Sequence, residues 1–121
     1  FLADMHDRGL LEDTLITVVG EFGRTPKIGQ LVQNNATAIT GRDHWPQAYS
    51  ALVSGGGLRM GQVIGATDSH AAYPKTRPLS PQDLLATIYH HIGIDIHYVY
   101  HDHLGRPAPI LASGRPIAEL I

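Results

Sequence analysis

The chain has 121 residues, 43% of them hydrophobic and 17% charged, enough for one globular domain with one core. Nine basic and eleven acidic residues leave a net charge of −2, so there is no basic block to displace counterions from nucleic acid and no polybasic patch to meet an anionic membrane. With no cysteine, these residues make no disulfide, no thiolate zinc site and no thiol nucleophile, and no apolar run reaches the length of a membrane span.

In chain order, Phe1, Leu2 and Met5 followed by Gly9 predict the closing turns of an amphipathic helix, with Gly9 as its cap. The opening reads as helix interior, which raises the expectation of an upstream portion. Residues 15–19 (LITVV) are short and largely β-branched, the pattern of a buried strand. That run stops at Gly20, and Glu21, Phe22, Gly23 and Arg24 follow at once, before Pro26. Residues 20–46 carry Gly20, Gly23, Gly29, Gly41, Pro26 and Pro46 with little hydrophobic period, which reads as a long loop of the kind that is functional or disordered.

Residues 48–54 (AYSALVS) predict a second apolar strand, closed by Gly55, Gly56 and Gly57, and residues 62–64 (QVI) a short third one. Residues 66–79 are polar and loop-like. Ser80 then opens a helix as its N-cap, with Pro81 at the first helical position and Asp83 adding negative charge to the first turn. Leu84, Leu85, Ile88 and Ile92 give it one apolar face, and Gly93 ends it. The tail from Asp95 holds three prolines and three histidines and reads as short strands and turns. Strand, loop, two strands and a helix suggest part of an α/β sandwich. In open α/β sheets ligands sit outside the carboxyl ends of the strands, which is where Glu21 and Arg24 would lie.

Glu21 has the chemistry of a metal ligand or base, and Arg24 that of an anion clamp with a bidentate fork. A salt bridge pinning the loop is the structural alternative. Among eight histidines, His44 stands out in "TGRDHWP", beside Asp43 and Trp45 and just before a strand. A neighbouring carboxylate can orient an imidazole toward a metal, and Trp45 could wall such a site or simply pack on the core. His101 and His103 would share a face if their segment were a strand, but no further ligands surround them. His90 and His91 diverge on a helix. Asp68, Ser69 and His70 have triad residue types with nothing to force triad geometry. Asn35, Ala36 and Thr37 match a glycosylation sequon, and the three consecutive glycines lack the lysine of a phosphate-binding loop.

The segments "GEFGRTP", "GRDHWP", "SALVSGGGLRMGQVIGATD", "PQDLLATIYHHIGID" and "LGRPAPILASGRPI", in this order, resemble the C-terminal part of the domain of unknown function 1501 family, a bacterial group. The likeness covers nearly the whole chain. That family looks like a branch of the alkaline phosphatase superfamily, together with the sulfatases. The resemblance implies that residues 1–121 are one partial domain, the C-terminal portion of an alkaline-phosphatase-like α/β/α sandwich with a mixed sheet. It implies metal-dependent hydrolysis of phosphate or sulfate esters, with a nucleophile contributed by an N-terminal half that this chain lacks, so these residues alone are expected to be inactive.

Carried over residue by residue, Glu21 and His44 would ligate a divalent ion (Zn, Ca, Mg or Mn), and Arg24 and Arg42 would hold an anionic small-molecule or polysaccharide ester. The superfamily strand ends in an aspartate–histidine ligand pair. Glu21 and Phe22 stand in that place here, and Phe22 has no donor atom. The partners implied are the substrate ester and the missing N-terminal half, with no nucleic acid and no membrane span. Family members often carry export signals, which implies a periplasmic or cell-surface location. A non-catalytic exported protein that keeps the fold and binds a glycan or a cell-surface partner is the alternative, favoured by Phe22.

Overall fold

The computed structural model describes residues 1–29 and 41–121, which form two compact units, Phe1–Pro78 and Leu79–Ile121. The first unit opens with helix α1 (Leu2–Asp7). Its end is a Schellman turn: the Leu10 N–H donates to Met5 O and the Gly9 N–H to His6 O, with Gly9 at φ +70°. The expected glycine cap is therefore present.

Strand β1 (Leu15–Val18) forms where the β-branched run predicted it. It is followed by β2 (Gly23–Arg24), β3 (His44–Trp45) and β4 (Leu52–Gly55). β1 and β4 pair antiparallel, with Leu15 opposite Gly55 and Val18 opposite Leu52. β4 starts later than the expected 48–54. The reason lies at Gly23, where a Cβ would collide with the Ala48 carbonyl oxygen, so that residue 48 is packed against β2. Gly55 is buried at φ +83°, and the Gly56 N–H donates to Leu11 O at 2.7 Å. The glycine triplet thus folds the chain back over residues 11–14, where a side chain at 55 would strike the Leu11 and Thr14 carbonyls.

The expected third strand at 62–64 is not formed, and Val63 is 94% exposed. The ladder forms further on, between β5 (Ala66–Thr67) and β6 (Pro74–Thr76), in the segment whose polar composition reads as a loop. Asp68 makes the turn. Its Oδ1 accepts the Ala72 N–H at 2.8 Å and the His70 N–H at 3.1 Å, and its own N–H donates to Tyr73 O.

In the second unit, α2 (Pro81–His91) starts as its N-terminal chemistry predicts. Ser80 Oγ accepts the Asp83 N–H at 3.2 Å and Asp83 Oδ2 accepts the Ser80 N–H at 2.7 Å, a reciprocal capping box. The other Asp83 oxygen accepts the Arg115 N–H at 2.9 Å, tying the tail to the helix start. Ala86 and Thr87 are buried with Ile117 and Leu120, whereas Leu85 and Ile92 of the expected apolar face are exposed. β7 (Val99–His101) and β8 (Pro107–Pro109) form the tail hairpin. Secondary structure is thus mixed α and β. Among the described residues the strands form four two-stranded antiparallel ladders.

Candidate functional site

The two motifs around Glu21 and His44 meet in the β2–β3 ladder, where Gly23 is opposite Trp45 and Arg24 is opposite His44. Directly opposed residues share a face, and so do residues two apart in a strand, so Phe22, Arg24 and His44 belong to one side. The contacts follow that rule. The rings of Phe22 and His44 stack with centroids 3.8 Å apart and planes 25° from parallel. The Arg24 guanidinium carbon lies 5.5 Å from the Phe22 centroid. Arg24 and His44 are both exposed.

Trp45 falls on the opposite side. Its Nε1–H donates to Ala72 O at 2.7 Å, and its ring meets Tyr73 edge-on at 5.6 Å. Of the two roles open to Trp45, the one observed is bracing: it holds the β5–β6 hairpin against the back of the ladder.

Thr25 joins the two motifs beyond the ladder, and nothing in its sequence context singles it out. It is fully buried. Its N–H donates to Asp43 O, its Oγ1 accepts the Asp43 N–H at 3.0 Å, and the same hydroxyl donates to Lys27 O at 2.8 Å. Arg42 completes the clamp, with Nη1 donating to Thr25 O at 2.7 Å and to Pro26 O at 2.6 Å. One Arg42 nitrogen is thereby committed to backbone, while Arg24 Nη1 makes a longer bond of 3.4 Å to Arg42 O. Of the two arginines, Arg24 is the one placed on the face of Phe22 and His44. Glu21 is exposed in the bend between β1 and β2.

A divalent ion needs four ligands for structural zinc and six to eight for calcium. Among the described residues no three His, Asp or Glu side chains gather closely enough to hold one. Glu21 and His44 are two donors, and the described residues do not by themselves fit a complete metal centre.

The other candidates have structural work. Ser69 Oγ lies 3.3 Å from His70 Nδ1, but the Asp68 carboxylate binds backbone amides at the turn, which is not the order of a triad. The Ala72 N–H is the main influence holding the Asp68 carboxyl below the usual range, with the His70 amide and the His70 charge adding to it. Asp102 closes the β7–β8 turn by accepting the Leu104 and Arg106 N–H groups and the Arg106 Nε–H at 2.7 Å. The Arg106 amide and guanidinium hold its carboxyl low. His101 ends β7 and His103 lies in the turn beyond it. His90 and His91 occupy the last turn of α2, where positive charge suits the helix dipole. The sequon Asn35, Ala36, Thr37 lies outside the described residues.

Among the described residues no helix is long and apolar enough to cross a membrane. No curated protein and no solved structure matches the chain. The family model described as "Protein of unknown function (DUF1501)" matches residues 1–121, and the chain belongs to that family.

Proposed function

We propose that the chain supplies the anion-holding edge of an alkaline-phosphatase-like hydrolase that acts, as a complete protein, on phosphate or sulfate esters. The observation that carries this reading is the register pair Arg24–His44, which brings two separate motifs onto one exposed face. A guanidinium fork matches a tetrahedral oxyanion in shape and charge. The Phe22 ring beneath it and the stacked His44 ring give the anion an ordered floor. Glu21 and His44 are the donors this chain would add to metal ligands from elsewhere in the complete protein, and the nucleophile is assigned elsewhere as well. Arg42, next to the same face, serves it by fixing the loop.

The sandwich architecture belongs to the same proposal, with β1 and β4 as strands of a larger sheet. Val18 is 59% exposed and Leu52 44%, on a two-stranded ladder that is marginal alone. Export to the periplasm or cell surface is part of the proposal through the family resemblance.

A second reading has its own observation. Phe22 stands where the superfamily pattern has a ligand, and its ring is used for stacking on His44. A ring, an imidazole and a guanidinium on one face also suit an anionic glycan in a protein without catalysis. The deciding experiment is hydrolysis of phosphate and sulfate monoesters by the full-length protein, with and without chelator. Activity lost with chelator, with His44→Ala and with Arg24→Ala supports the hydrolase. Absence of hydrolysis, with sulfated-glycan binding that Phe22→Ala abolishes, supports the binder.

A further inference from the structure

We propose that Thr25, assisted by Arg42, is the positioning residue of this site: it sets the register that puts Arg24 and His44 on one face. The proposal rests on the anion-binding reading for its functional consequence, but its geometric content stands apart from it.

The β2–β3 ladder consists of two residue pairs, too few to hold a register unaided. A slip of one residue would move His44 to the far side and present Trp45 or Asp43 in its place. Thr25 follows Arg24 and Asp43 precedes His44, so the Thr25–Asp43 bonds extend the ladder by one more pair. That pair is pinned by backbone and side chain together, and Thr25 is 0% exposed. Its N–H, its carbonyl and both roles of its hydroxyl are all taken, by Asp43, Arg42 and Lys27. Asp43 supplies these contacts through its backbone. The lock is therefore sensitive to the Thr25 hydroxyl.

The test uses the full-length protein with 13C-labelled histidine, the His44 signal being assigned by its loss in His44→Gln. Stacking on Phe22 displaces the His44 ring protons upfield. Thr25→Ser keeps the hydroxyl and should keep that displacement, together with slow exchange of the Asp43 amide. Thr25→Val keeps the shape without the hydroxyl and should lose both, and weaken inorganic sulfate binding about tenfold. Should Thr25→Val not fold, Arg42→Met removes the clamp from the exposed side and is read by the same two signals. An unchanged His44 displacement and slow Asp43 exchange in Thr25→Val or, in its place, Arg42→Met overturn the proposal. If the wild-type protein shows the displacement but takes no sulfate, the anion-binding reading falls while the variants still decide the role of Thr25.

Discussion

Replacing Thr87 by valine isolates one hydroxyl in the second unit. Thr87 is fully buried on α2, and its Oγ1 donates to Asp83 O at 2.7 Å and accepts the Ile117 N–H at 2.9 Å. Valine has the same shape, so no cavity opens. The Asp83 carbonyl keeps the helical N–H of residue 87. The Ile117 amide, on a residue only 4% exposed, is left without its acceptor. An orphaned buried donor costs about 1–3 kcal/mol, and the added methyl returns about 0.8 kcal/mol of burial. The expected net loss is about 0.2–2.2 kcal/mol, centred at about 1.2 kcal/mol. Thr87→Ser deletes a methyl and keeps both bonds, at a cost of about 0.8 kcal/mol. Urea midpoints at constant slope should therefore rank threonine above serine above valine, and exchange of the Ile117 amide should accelerate in the valine variant alone. Packing by itself predicts the opposite order of the two variants. A valine variant at least as stable as the serine one, with the Ile117 amide still protected, refutes the hydroxyl argument.

Gly114→Ala should destabilise by about 1–3 kcal/mol, because residue 114 sits at φ +110° and a Cβ would collide with the Gln82 carbonyl. Gly105→Ala, at φ +75° with open space around it, should cost about 1 kcal/mol, and thermal melts compare the two. Titration calorimetry of the full-length protein with Zn2+ or Mn2+ should show His44→Ala weakening binding far more than His101→Ala, and equal losses would remove His44 from the ligand set. Asp68 and Asp102 have folded-state carboxyls held below their unfolded values, so each turn is stabilised above the ordinary aspartate value of about 3.9. That contribution is lost as pH falls through the lower folded value. Protection of the Ala72 and Leu104 amides should thus persist at pH 5 and disappear in strong acid, whereas Asp102→Asn should weaken Leu104 protection already at neutral pH.

Features written within a few residues of one another were legible in the sequence. Ser80, Pro81 and Asp83 announce α2 because a cap satisfies donors one turn away, and Gly9 announces the end of α1 because the Schellman turn is equally local. Residues 15–18 announce a strand by their β-branching, and the short strands expected of the tail are present as β7 and β8. Glu21, Arg24 and His44 stood out by residue type and by their place at strand ends, and the family motifs span the chain.

The tertiary structure alone decided which of these groups meet. A carboxylate–amide turn at Asp68 makes a hairpin from a stretch whose composition is that of a loop. The close approach of Ala48 to Gly23 shortens β4, although residues 48–51 have the composition of a strand. Phe22 finds His44, and buried Thr25 finds Asp43, across an intervening stretch of chain. Caps and turns are short-range bonds whose partners lie within a turn of each other, so residue types alone reveal them. Pairings across distant segments depend on which faces are brought together and how closely the backbones approach, and these are settled only when the whole unit has packed.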